Sequence, residues 1–163
     1  MLPRFKLVFL PPEETPGLST FVVQHLTPEL LRRPEWLAHP NGAIGLAGAT
    51  VVVDDTAPLL AAYEKLLGPT RVNTTDDVLT VHAGRHRIVF CTADDFAAMT
   101  PELELADVQP PFMASMAMRV RDLGETADCL ASWQIDHEGP EGGRILVPAD
   151  EANGAILEFV ERP

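Results

Sequence analysis

The stretch that decides the fold is residues 46–68, LAGATVVVDDTAPLLAAYEKLLG. It begins with small and β-branched residues over the length of a strand, and this run ends at Asp54 and Asp55. Asp55 or Thr56 can cap a helix, and apolar side chains then recur at helical spacing as far as Gly68. The stretch therefore predicts a strand followed by a helix with one apolar face.

The residues that follow predict three more strands. Residues 71–73 form the first, and residues 78–82 and 86–91 form a hairpin around the turn Ala83-Gly84-Arg85. The unit from 44 to 98 therefore has the order βαβββ.

The same order recurs in residues 112–163. This second unit contains strand-like residues 112–121, helical spacing over 122–133, and strand candidates at Ile135, 144–147 and 155–160. Val53 then corresponds to Val120, and with one extra residue by the fourth strand Phe90 corresponds to Glu158. Such self-similarity predicts a duplicated structural module.

Two further segments accompany these units. Residues 1–43 are proline-rich with strand-like runs at 5–10 and 20–25, so we expect an N-terminal arm that extends the sheet or reaches the second subunit of a homodimer. Residues 99–111 are polar and interrupted by proline, which predicts a surface linker. A chain of 163 residues suffices for one domain with its own core.

Charge and cysteine content exclude several classes of partner. Twenty-four acidic and twelve basic residues give a formal charge of −12, which repels nucleic acids and anionic membranes. Cys91 and Cys129 are isolated, as is usual in a reducing compartment. The apolar patch at residues 5–10 is too short for a secretory or membrane helix. We therefore expect a cytoplasmic protein.

Several phrases resemble one known family. They are residues 51–68, the closing residues 152–161, and the N-terminal pieces 21–29, 33–36 and 39–43. In these the chain resembles the vicinal oxygen chelate superfamily of glyoxalases, bleomycin-resistance proteins and extradiol dioxygenases, and more narrowly the bacterial glyoxalase-like domain proteins. The resemblance implies an α+β fold in which two βαβββ modules form a curved eight-stranded half-barrel around a ligand cavity, here with the N-terminal arm added.

The resemblance also implies positions for a metal site. The family's familiar chemistry uses a divalent metal held by one ligand on each first strand and a glutamate on each fourth strand. In this chain those positions are Gly48, Ser115, Phe90 and Glu158, of which only Glu158 binds a metal well. Catalytic zinc sites typically use three protein ligands. We therefore expect no metal and no other cofactor, with Phe90 and Ser115 contacting a ligand instead.

Glu158 is the first candidate catalytic residue. Alternation along its strand places it on one face with Ile156 and Val160. If that face is concave, the carboxylate projects into the cavity, where it could accept a proton or neutralise a cationic ligand. The alternative is a hydrogen-bonded carboxylate that remains from an older metal site.

The other candidates lie in the arm. His25 and Glu29 could act as general base or hold a ligand hydroxyl, with Trp36 nearby, because imidazole titrates near neutral pH. Alternatively His25 satisfies backbone groups and Glu29 is solvated. His39 and Asn41 belong to a turn-forming sequence, and their ligand-binding role rests on the resemblance and on the frequency of functional loops.

These observations favour a metal-free protein that encloses a small, partly apolar organic molecule. Any chemistry would be proton abstraction of the lyase or isomerase type, with Glu158 or His25 as the base. A binding module that sequesters or senses a compound is the second hypothesis, and a dimerisation scaffold is the third.

Overall fold

A computed structural model of the chain describes residues 2–105, 108–140 and 142–161. Its strands are β1 (Phe5–Phe9), β2 (Phe21–His25), β3 (Ala43–Val52), β4 (Val72–Thr75), β5 (Val78–Ala83), β6 (His86–Cys91), β7 (Phe112–Val120), β8 (Arg144–Val147) and β9 (Ile156–Glu161). Its helices are α1 (Pro34–Leu37), α2 (Ala57–Leu67), α3 (Ala93–Met99) and α4 (Leu123–Ser132), with short 3-10 turns at Pro28–Leu30 and Pro69–Arg71. Within these residues no helix is long and apolar enough to cross a membrane.

Seven strands form one open sheet in the order β4-β5-β6-β3-β7-β9-β8. The first strands of the two units, β3 and β7, pair antiparallel at its centre, and each pairs parallel with the last strand of its own unit. Gly48 lies opposite Ala117, and Thr50 lies opposite Ser115. This arrangement confirms the α+β class and the pairing of two modules in a half-barrel.

The second module is less regular than the expected eight-stranded sheet requires. Where a strand at Ile135 was expected, the chain forms only one bridge, between Glu138 and Leu146. Gly139 and Pro140 follow this bridge directly, and a proline has no N–H to continue a ladder. The eighth strand is therefore reduced to a single pair of residues.

The helices α2 and α4 cover the same face of the sheet. Val51 and Phe90 pack with Tyr63 of α2, while Val120 and Phe159 pack with α4. A third cluster joins Phe96 of α3 to the ends of the central strands through residues that include Val52, Cys91, Leu146 and Ile156. The helix α3, which occupies the last residues of the first unit, therefore closes one end of the opposite face.

The arm forms its own two-stranded sheet. β1 and β2 pair antiparallel from Phe5 and His25 to Phe9 and Phe21, and every residue of both strands is exposed. The arm thus contains the expected strands, but they do not extend the seven-stranded sheet.

The segment after β1 attaches the arm to the first module. The Tyr63 hydroxyl donates a hydrogen bond of 3.2 Å to the carbonyl of Pro16, and Lys65 pairs with Glu14 at 2.6 Å. Gly17 has a φ of 81°, and an added Cβ would lie 3.3 Å from the Phe90 ring. Only glycine fits this positive φ and close contact without strain.

Candidate functional site

A groove lies at the centre of the sheet, on the face opposite α2 and α4. It encloses about 270 Å³ where β3 and β7 meet. Its lining residues are Gly48, Ala49, Thr50, Val78, Thr80, Arg87, Val89, Phe96, Met99, Thr100, Ser115, Ala117, Arg144 and Glu158. Glycine, alanine and hydroxyl side chains form much of the floor, and the charged residues come from β6, β8 and β9. The groove is therefore a small cavity lined by both polar and apolar side chains.

Glu158 and Ser115 both line this groove. Phe90 does not, because it is fully buried under α2 with its ring 5.0 Å from that of Tyr63. The repeat that aligns Val53 with Val120 also aligns Thr50 with Ala117. Thr50 pairs with Val89 in the first module, and Ala117 pairs with Glu158 in the second. The counterpart of Glu158 is therefore Val89, so the sequence correspondence with Phe90 is one residue out of register. Phe90 is a core residue, and its side chain faces away from the groove.

Glu158 is held next to an arginine. Its side chain is 17% exposed, and its Oε1 lies 3.9 Å from Nη1 of Arg144. Arg144 also donates to the Met99 carbonyl at 3.1 Å and pairs with Glu102 at 3.1 Å. A hydrogen bond from its own backbone, followed by the Arg144 guanidinium, lowers the pKa of Glu102. Arg144 therefore connects the end of α3 to the groove and gives Glu158 a cationic partner.

The donor set does not suit the family's metal. With the register corrected, the four corresponding positions are Gly48, Ser115, Val89 and Glu158. Glycine and valine have no donor atoms, and a neutral serine hydroxyl with one carboxylate falls short of three good ligands. Across the described ranges, no group of three or more His, Cys, Asp or Glu side chains is arranged to hold a metal.

The arm candidates lie apart from the groove. His25 is the exposed last residue of β2, and Glu29 is exposed in the following 3-10 turn. Trp36 is exposed in α1, where its ring lies 4.8 Å from the Arg33 guanidinium carbon. None of the three lines the groove.

His39 and Asn41 are also outside the groove. The Asn41 carboxamide oxygen accepts a hydrogen bond from the Ala43 N–H at 3.1 Å and lies 2.6 Å from Nδ1 of His39. The Thr126 hydroxyl of α4 donates to the Asn41 carbonyl at 2.8 Å. These contacts fix the turn that leads into β3, on the side of the sheet that α4 covers.

Three features of the groove were not predicted. Arg87 was assigned to a strand without a role, although alternation from Val89 places it on the groove face. Arg144 had no sequence signal, because its contacts come from separate elements. The helix α3 did have one, since Thr92 and Asp95 form a capping box that begins it.

Two paired modules around a central groove are the architecture of the vicinal oxygen chelate fold, and this chain has that fold. No protein-family model matches the sequence, and no curated protein matches it. The structure is similar to the crystal structure of methylmalonyl-CoA epimerase from Mycobacterium tuberculosis, with a TM-score of 0.56 and 19% identity over 80% of this chain and 96% of that one. It is also similar to a second methylmalonyl-CoA epimerase, with a TM-score of 0.50 and 13% identity over 74% of this chain and 97% of that one. At these identities the similarity establishes the fold and not the activity.

Proposed function

We propose that the protein binds a small, partly apolar organic molecule in the central groove and transfers a proton on it without a metal. The observation that carries this proposal is the position of Glu158, a largely buried carboxylate on the wall of a cavity floored by small and hydroxyl side chains. A carboxylate that is shielded from water and close to a bound carbon acid is suited to act as a general base.

The proposed chemistry is of the lyase or isomerase type. A C–H bond next to a carbonyl breaks, its proton passes to an oxygen of Glu158, and the electron pair delocalises onto the carbonyl oxygen. The hydroxyls of Thr50 and Ser115, on the neighbouring strands, can donate to that oxygen. Return of the proton to another carbon or face, or loss of a leaving group, completes the reaction. His25 has no part in this step, because it lies outside the groove.

A second candidate is binding without chemistry, as in sequestration or sensing. The ion pair between Glu158 and Arg144 favours it, because a paired carboxylate can be purely structural. Glu158→Gln distinguishes the two functions once a substrate is found. A general base typically contributes 10²- to 10⁴-fold, so we expect turnover to fall at least about 100-fold. Glu35→Gln, in exposed α1, is the control. Unchanged turnover by Glu158→Gln would show that Glu158 is not the base, and a compound that binds but is not turned over by the wild type would leave only the binding function.

The binding itself is tested by thermal shift against a panel of metabolites and aromatic antibiotics. A ligand at about 100 times its Kd stabilises by roughly 2.7 kcal/mol, or about 5–10 °C in Tm for a chain of this size. Thr50→Phe fills the groove and should abolish the shift, whereas Thr74→Phe, on the exposed edge strand β4, should retain it. If no compound shifts the wild type, or if Thr50→Phe responds equally, the groove is not the binding site.

We further propose a cytoplasmic homodimer formed through the arm. The apolar side chains exposed on β1 and β2 support association with a second copy, and they also keep the dimerisation-scaffold hypothesis open. The free thiols Cys91 and Cys129 support a reducing compartment. The strong negative charge makes nucleic acid and anionic membranes poor partners.

A further inference from the structure

Four groove residues lie in one row across the sheet. Arg87 pairs with Gly48, Gly48 pairs with Ala117, and Ala117 pairs with Glu158. Adjacent strands are about 4.8 Å apart, so the Cα atoms of Arg87 and Glu158 are separated by roughly 14 Å along the sheet. A cationic and an anionic side chain therefore stand on opposite walls of the groove.

The floor between these walls is nearly without side chains. Gly48 has none, Ala117 has only a methyl group, and both are buried. The next row carries the hydroxyls of Thr50 and Ser115, and Ser115 is 5% exposed. An added Cβ at Gly48 would lie 3.0 Å from Arg87 Cγ, so the Arg87 stem lies beside Gly48 and the open part of the floor is over Ala117, with hydroxyl groups beside it.

The two arginines that line the groove, Arg87 and Arg144, differ in the ion pairs that they form. Arg144 is shared between Glu102 and Glu158. In the part of the chain that the structure describes, the ion pairs involve Lys65 and Arg144, and Arg87 forms none. Most basic side chains in these residues form no ion pair, and Arg87 is the one among them that lines the groove.

We propose that Arg87 anchors the carboxylate of a small organic acid in the groove, an inference that rests on the proposed function and names its ligand class. A planar guanidinium binds a carboxylate through two parallel hydrogen bonds, which fixes the orientation of the ligand as well as its position. The rest of the ligand then lies over Ala117, with its far end towards Glu158. The cavity of about 270 Å³ limits the enclosed part to a small molecule.

The inference is tested with pairs of probes that share a shape and differ in charge: butyrate and butyramide, benzoate and benzamide, and pyruvate and pyruvamide. Binding is measured by titration calorimetry at constant ionic strength. We expect at least one acid to bind the wild type at least tenfold more tightly than its amide. Arg87→Met should remove that preference, and Arg87→Lys should retain part of it. Arg85→Met, at the exposed hairpin turn, is the matched control and should bind as the wild type does.

The outcomes separate this inference from the proposed function. If amides bind as tightly as acids, and Thr50→Phe blocks both, the groove binds small molecules but Arg87 is not an anchor. If inorganic phosphate binds and no carboxylate does, the assignment to organic acids is wrong. An acid preference that survives in Arg87→Met would also overturn the inference. If none of these probes, and no compound of the wider panel, binds in the groove, the proposed function fails and the inference with it.

Discussion

Gly48 allows β6 to approach β3 closely at Arg87. A Cβ at position 48 would meet the Arg87 carbonyl oxygen and would lie 3.0 Å from its Cγ. Because the obstacle includes backbone, Gly48→Ala must separate β3 from β6 locally, and overpacking of this kind costs about 1–3 kcal/mol. We expect that loss in the free energy of unfolding measured with urea. Gly124→Ala, in the exposed first turn of α4, is the control, because its added Cβ would lie 3.1 Å from the Asp122 carboxylate, a side chain that can move, so we expect a smaller loss. Equal effects at the two positions would show that the contact is not tight.

The raised pKa values of Cys91 and Tyr63 predict how the stability of the fold changes at alkaline pH. Burial, followed by the charge of Asp95, raises the pKa of Cys91 from 9.0 to about 11, and burial raises the pKa of Tyr63 from 10.0 to about 12. Between each ordinary value and the raised one, the unfolded chain has lost a proton that the folded chain keeps. Stability therefore falls as pH rises from 9 to about 12, and both contributions are fully present below pH 9.

Urea unfolding at a series of pH values above neutrality measures this fall. Cys91→Ala lowers stability at neutral pH, because it removes a buried sulfur. It should nevertheless make the decline between pH 9 and about 11 shallower than in the wild type. A decline of unchanged steepness in this variant would mean that Cys91 does not contribute.

The helix α3 closes one end of the groove. It has only seven residues, and the Thr92 hydroxyl accepts a hydrogen bond from the Asp95 N–H at its start. Thr92→Ala should therefore cost about 1 kcal/mol, as typical N-cap losses do. Since Phe96 and Met99 line the groove, we also expect faster amide exchange in α3 and weaker ligand binding. Thr75→Ala, on exposed β4, is the control, and equal exchange in α3 for both variants would contradict the prediction.

The helices and strands that the sequence predicts are those with a long, regular pattern of apolar residues. The strand and helix of residues 46–68, their repetition and the arm hairpin all follow from periodicity and turn residues. The one-residue slip at Phe90 arose because the second module has two more residues than the first between its first and last strands, and the loops that contain them have no periodic pattern to align. Arg144 could not be found, because its contacts with Glu102 and Glu158 bring together residues far apart in the chain.

The hairpin of the N-terminal arm exposes apolar side chains to solvent. Val8 of β1 pairs with Val22 of β2, so the two lie side by side on one face of the hairpin, where they are 60% and 56% exposed. A two-stranded hairpin on its own is only marginally stable in water. Exposed apolar patches of this kind usually mark an interaction surface. A second copy of the chain is the occupant that we propose, since two such hairpins can cover each other.

Sedimentation velocity over a range of concentrations tests this dimer. Val22→Lys places a charge opposite Val8, one pair from the turn end of the hairpin, so we expect it to weaken association at least tenfold while the fold of the two modules is retained. Thr74→Lys, on exposed β4, adds the same charge elsewhere and should leave association unchanged. Each copy carries a formal charge of −12, so screening by salt should tighten the wild-type dimer. A wild-type chain that stays monomeric at high concentration and high salt, or a Val22→Lys variant that associates as the wild type does, would show that the arm is not a dimer interface.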